Sequence, residues 1–164
     1  MRDPAEEHAA VAERIAALAQ SMGLSVVTAE SMTSGSVAVA LGAAPNASKW
    51  FHGGIVAYDE SVKRGALKVV APDIVSTQCA LQMARGALRL LRAGAAVATT
   101  GVGGPEPSDG HPAGQVCLAA VTHDGALNED LRFDGDPAEV VHAATGAALR
   151  ALERLLIATP HTGD

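Results

Sequence analysis

The sequence predicts an α/β domain, a three-layer α/β/α sandwich built on a mainly parallel sheet with an antiparallel hairpin added. Three observations carry this prediction. Segments with apolar residues at helical spacing alternate with short β-rich runs through the first part of the chain. Glycines stand where one kind of segment gives way to the other, at Gly23, Gly42 and Gly94. Near the end, Asp124-Gly125 separates two apolar-alternating runs, a strong hairpin signal.

Each element follows from its own residues. Val11, Ile15, Leu18 and Met22 form the stripe of a first helix, stopped by Gly23 before a strand at Leu24–Thr28. A second helix is expected from about Ser34 to Leu41, ended by Gly42 and Pro45. Phe51–Tyr58 reads as a strand, with Gly53-Gly54 allowing a bulge or a close backbone approach. Asp59 can cap a short helix carrying Glu60, Lys63 and Leu67. Pro72-Asp73 introduces a longer helix with Cys79, Met83, Ala87 and Leu90 on one face, and Ala95–Thr99 is a short buried strand. Residues 101–114 form a Gly/Pro-rich loop too long to be a mere connection. Gln115–Thr122 and Leu127–Phe133 make the hairpin. Asp136-Pro137-Ala138-Glu139 then starts a last helix with Val141, Ala144, Ala148, Ala151 and Leu155 inward. Neither repeats nor a second domain are visible, so residues 1–164 are expected to be one domain, with 158–164 a frayed tail.

Composition narrows the function classes. Aromatics are only 2% of the 164 residues, so the core must be packed from Ala, Val and Leu. The formal charge is −6 and no Lys/Arg cluster stands out, which argues against nucleic acid. There is no membrane-length apolar run and no signal peptide, so a soluble cytoplasmic protein is expected. Cys79 and Cys117 read as small buried apolar residues, not a disulfide framework. The six histidines are scattered without metal-binding spacing, and neither a metal nor a cofactor is expected.

Three loops leave predicted strand ends and can converge at the ligand-binding edge of a parallel sheet: 28–35, 58–63 and 99–114. Ser31 is the candidate nucleophile at a strand-to-helix turn. A serine needs a base, and a partly buried Lys63 can supply one, because desolvation disfavours the ammonium. Tyr58 can relay a proton or fix the lysine. Backbone N–H groups after Ser31 can form an oxyanion hole. Each residue also has a plainer reading. Ser31 and Ser34 suit helix caps, Lys63 can pair with Asp59 or Glu60, and Tyr58 can be a strand-end residue. Gly101-Val102-Gly103-Gly104-Pro105 is neither a dinucleotide fingerprint nor a Walker loop; it is a surface turn or a wall of N–H groups around a ligand. Glu30 can orient a hydroxyl, bind ribose, or pair elsewhere.

The same residues carry a resemblance. Ala29-Glu30-Ser31-Met32-Thr33-Ser34-Gly35, Tyr58 with Lys63, Val75-Ser76, and Thr99-Thr100-Gly101-Val102-Gly103-Gly104-Pro105 form an ordered series similar to the CinA C-terminal domain family. Pro112-Ala113-Gly114-Gln115-Val116 and Gly135-Asp136 continue the match, in the manner of the stand-alone form. The resemblance implies an amidohydrolase of pyridine nucleotide metabolism, converting nicotinamide mononucleotide to nicotinic acid mononucleotide and ammonia without a metal. It further implies Ser31 as nucleophile, Lys63 as its activating partner and Tyr58 in the same site. Glu30, Thr33, Ser34, Gly35, Thr100, Gly101, Gly103 and Gly104 would bind substrate. A homodimer or higher homo-oligomer is implied, with a small-molecule nucleotide as the ligand.

The chain departs from the family pattern at several positions. Met32 replaces a cysteine and Ser34 a glycine, while Glu106-Pro107 interrupts a glycine-rich run. Pro137 and His142 stand where the pattern has arginines, groups that suit phosphate geometry. These changes motivate an alternative expectation, a degenerate paralogue that binds a nucleotide or small amide without turnover.

Overall fold

A computed structural model describes residues 3–161 of the chain. The elements, in chain order, are α1 (Pro4–Met22), β1 (Val26–Glu30), α2 (Ser36–Gly42), α3 (Ala47–Trp50), β2 (Phe51–Val56), α4 (Glu60–Gly65), α5 (Thr77–Leu90), β3 (Ala95–Gly101), β4 (Gln115–Thr122), β5 (Ala126–Arg132) and α6 (Pro137–Ala158). They form the expected α/β sandwich. The sheet order is β2-β1-β3-β4-β5. The three strands β2, β1 and β3 run parallel, and the β4–β5 hairpin joins β3 antiparallel.

Strand alternation sends successive side chains to opposite layers. Val27, Ala29, Ala96, Ala98, Cys117 and Ala119 face α5. Val26, Ala95, Val97 and Ala120 face α1, α2 and α6, with Ile15, Leu41, Trp50 and Leu152 filling that layer. Small residues let the layers approach closely. At Gly86 on α5, any Cβ would strike the Leu67 backbone.

The structure differs from the sequence expectations in local ways. Trp50 nucleates an additional short helix, α3; its ring is buried and its indole N–H donates to the Pro45 carbonyl at 3.0 Å. Helix α4 stops at Gly65, and Leu67 lies beyond it, buried in the α5 layer. Helix α5 begins at Thr77, because Ser76, not Asp73, caps it by accepting from Cys79 N at 3.0 Å. The apolar stripe of α5 drifts toward Ala80, Ala84 and Leu88, leaving Leu90 54% exposed. On α6, Val140 is fully buried and Val141 only half-buried, while Ala144, Ala148, Ala151 and Leu155 face inward. Ala158 is the last residue of α6 and Thr159 is buried, its hydroxyl donating to Leu155 O at 2.7 Å, so the order extends past 158. Residues 162–164 of the expected frayed tail lie outside the described residues.

Candidate active site

The site forms where β1, β2 and β3 end. Register aligns Glu30 of β1 with Val56 of β2 and Thr99 of β3, so the following residues emerge side by side. Ser31 N donates to Thr99 O at 3.0 Å, which holds the serine against β3 as the chain leaves the sheet. The chain then turns sharply through Ser34 (φ 52) and Gly35 (φ 100) into α2. Ser31 is 6% exposed, and its hydroxyl faces a hollow of about 270 Å³.

Glu30 organises this turn from behind. Its side chain is 1% exposed, and its carboxylate accepts from Val37 N (2.9 Å), Ala38 N (3.0 Å) and the Thr33 hydroxyl (2.7 Å). Thr33 Oγ1 also lies 2.8 Å from Thr99 Oγ1. The carboxylate therefore meets the first free N–H groups of α2 and ties that helix to the Ser31 turn. Glu30 and Thr33 do not line the hollow, and their polar atoms are committed to one another.

Lys63 arrives from α4. Asp59 caps that helix by accepting from Ser61 N at 2.8 Å, and Glu60 pairs with Arg64 at 2.7 Å. Both acids that could have held the lysine at the surface are thus engaged. Lys63 turns inward, 1% exposed, with Nζ 2.9 Å from Ser31 Oγ and 2.9 Å from the Tyr58 carbonyl oxygen. Burial pushes its pKa below 10.5, opposed by the carboxylates of Asp59 and Asp109. The fixing contact from Tyr58 is its main-chain carbonyl. Its ring is 67% exposed and stands at the mouth of the hollow.

The third wall is the loop after β3. Gly101 packs closely against β4, where a Cβ would collide with the Gln115 carbonyl. Thr100 donates its hydroxyl to Ile74 O at 2.6 Å, which draws the Ile74–Val75 segment to the hollow. Gly101, Gly103 and Gly104 line it, with Glu106, Ser108 and Asp109 at the far rim. Ser34 and Gly35 do not. They open onto a different, larger hollow of about 610 Å³ beside Pro137, His8 and His142. There the two imidazole rings stack at 4.1 Å.

Sequence reasoning missed one residue that shapes the loop. His111 bridges the Asp73 carboxylate through Nε2 (2.8 Å) and Gln115 Oε1 through Nδ1 (2.8 Å). Hydrogen bonds donated by the ring to Gln115 Oε1 and to the Asp73 carboxylate raise its pKa above 6.5. Asp73 lies far away in sequence, and no spacing rule links the pair. Both cysteines are buried, and desolvation raises their thiols, Cys79 to about 11 and Cys117 to about 12, so neither is a thiolate. Among the described residues, no group of three or more His, Cys, Asp or Glu is placed to hold a metal ion. No helix there is long and apolar enough to cross a membrane.

A strand-to-helix serine in hydrogen-bond contact with a buried amine, on a sheet of this order, makes this an α/β protein with a serine–lysine pair at its strand ends. The comparisons with known proteins agree with the ordered motifs. Residues 8–156 match the family described as CinA C-terminal domain, and the chain belongs to that family. It is 36% identical over 149 residues to a CinA-like protein of Frankia casuarinae, covering 85% of this chain and 34% of that protein. The chain thus spans about a third of the length of the curated relatives it matches. Among solved structures, a CinA superfamily protein from Klebsiella pneumoniae is 32% identical with a TM-score of 0.87, covering 96% of this chain and 100% of that one. The competence/damage inducible protein CihA from Agrobacterium tumefaciens is 36% identical with a TM-score of 0.80, covering 93% of this chain and 94% of that one.

Proposed function

We propose that the chain is an amidohydrolase that releases ammonia from the carboxamide of nicotinamide mononucleotide or a close relative. The observation that carries this reading is the 2.9 Å contact between Lys63 Nζ and Ser31 Oγ within a hollow of substrate size. A desolvated lysine is a free amine at lower pH than an exposed one, so it can take the hydroxyl proton as Ser31 Oγ attacks the carboxamide carbon. The N–H group of Met32, which lines the hollow, donates to no protein acceptor among the described residues and is available to the oxyanion. The lysine ammonium then returns its proton to the departing nitrogen, and ammonia leaves with the C–N bond. Water, deprotonated by the same amine, attacks the acyl ester and restores Ser31, giving the carboxylic acid.

The test is ammonia release by wild type, Ser31→Ala and Lys63→Ala. Each variant is expected to fall by at least about a thousandfold. Wild-type activity should rise with pH through the lowered Lys63 pKa and then level off. Activity retained in both variants would overturn the mechanism. Pro137 and His142, in place of two arginines, favour a second reading, a protein that binds a nucleotide or small amide without turnover. That reading predicts a thermal shift with a pyridine nucleotide and no ammonia.

We further propose that the protein assembles as a homodimer or higher homo-oligomer. The support is the open edge of β2, where Val56 is exposed, with the exposed Tyr58 and Val62 following it in the chain.

A further inference from the structure

The loop that forms the far wall of the hollow is hydrogen-bonded to the rest of the molecule through one side chain. Its base is closed by Val102 N to Gln115 O (2.9 Å) and Gly114 N to Val102 O (2.8 Å). From residue 103 to residue 111 the main chain bonds only to itself among the described residues, Ser108 N to His111 O (3.0 Å) and His111 N to Ser108 O (2.9 Å). The Ser108 hydroxyl turns to Asp109, within the same turn. The bonds that leave this segment all start from the His111 ring.

Those bonds reach a second wall of the same hollow. Nε2 lies 2.8 Å from an Asp73 carboxylate oxygen, and Asp73 also accepts from Val75 N at 2.9 Å. The ring is thereby tied to the segment whose Ile74 and Val75 line the hollow, while Ser108 and Asp109 on its own turn line the opposite rim. On its other side, Nδ1 lies 2.8 Å from Gln115 Oε1.

Both acceptors are fixed. Gln115 Nε2 donates to the Asp130 carboxylate of β5 at 3.3 Å, so turning the amide over would set its oxygen against that carboxylate. A neutral imidazole has one proton for two oxygens, and an imidazolium has one for each. The charged groups around the ring are Asp73 before α5, Asp130 on β5 and Asp109 in its own turn, with Arg132 the register partner of Gln115. Hydrogen bonds to Gln115 and Asp73 raise the histidine pKa above 6.5. The tie is therefore complete below 6.5 and is lost as pH rises through the raised value.

We propose that His111 is a positioning residue of the site: its imidazolium ties the far rim of the hollow to the Ile74–Val75 wall, and substrate binds most tightly while both bonds are made. His111 does not line the hollow, so it acts through the two walls it joins. The proposal rests on the amidohydrolase reading for turnover, whereas the tie itself concerns binding.

The experiment measures KM and kcat for ammonia release from nicotinamide mononucleotide between about pH 6 and about pH 9, by wild type, His111→Ala and His111→Lys. At the acid end KM of His111→Ala should exceed that of wild type by at least about fivefold, narrowing to under about twofold at the alkaline end. Titration of the substrate's own phosphate cancels in this ratio. His111→Lys, charged throughout the range and rich in donors, should keep the low KM at the alkaline end. In all three proteins kcat should follow Lys63. A ratio that stays constant with pH, as a merely structural histidine would give, overturns the proposal, and so does an alkaline KM of His111→Lys as high as that of His111→Ala. If wild type yields no ammonia at any pH, the amidohydrolase reading fails, and calorimetric Kd for the same nucleotide replaces KM. The same narrowing ratio then supports the tie, and a constant ratio or no binding at any pH refutes it.

Discussion

Glu30 shows how one residue can shape a site without lining it. A carboxylate 1% exposed would be costly unless its lone pairs were filled, and here they accept from two main-chain N–H groups and a threonine hydroxyl. Truncation by Glu30→Ala strands those donors. It should lower unfolding stability by about 3 kcal/mol in urea titration. Glu30→Gln keeps the shape, but its amide turns a donor toward Val37 or Ala38 N–H, so a loss of about 1–2 kcal/mol should remain. Equal stability of Glu30→Gln and wild type would show that the charge is dispensable. Sequence left this residue open among three roles, because the spacing from 30 to 37 does not say that α2 starts late. Only the turn through Ser34 and Gly35 brings Val37 and Ala38 N–H back over the carboxylate.

At the scale of elements, the loop between β3 and β4 behaves as a strap pinned by His111. Both ring nitrogens face oxygen atoms, of Asp73 and of Gln115, an arrangement that only the doubly protonated imidazolium satisfies with two donated hydrogen bonds. Its folded pKa is raised, so the stabilisation is fully present below the ordinary histidine value of 6.5 and is lost as pH rises through the raised value. Hydrogen exchange in residues 101–114 should therefore quicken as pH passes upward out of that range, after correction for intrinsic rates. His111→Ala should show the faster exchange at every pH. Pinning that persists unchanged to high pH would mean the neutral ring suffices. The length of this loop and its glycines were legible in the sequence, and so were the caps at Asp59 and Asp136. The pin was not, because its partners lie on opposite sides of α5 and β3. Likewise α3 rests on the burial of one tryptophan, a tertiary effect that a four-residue segment cannot announce.

For the whole molecule, the order of layers followed from periodicity, whereas the meeting of Ser31 and Lys63 required the fold. The two lie on different elements, and the plain alternative of a surface ion pair fails only because Asp59 and Glu60 are engaged elsewhere. The same topology leaves β2 at the sheet edge, with Val56 51% exposed. Parallel pairing with β1 satisfies one side of β2; the other side offers unpaired main-chain groups flanked by apolar side chains. Tyr58 continues this surface to the mouth of the hollow, so an interface here would border the site. Sedimentation should find the wild type as a dimer or larger. Val56→Lys should shift it to monomer, since burying an unpaired ammonium at the centre of an interface costs more than a rim contact returns. The monomer should keep its far-UV signal, because residue 56 points to solvent within one chain. A wild type that sediments as a monomer at high protein concentration would remove the assembly from consideration.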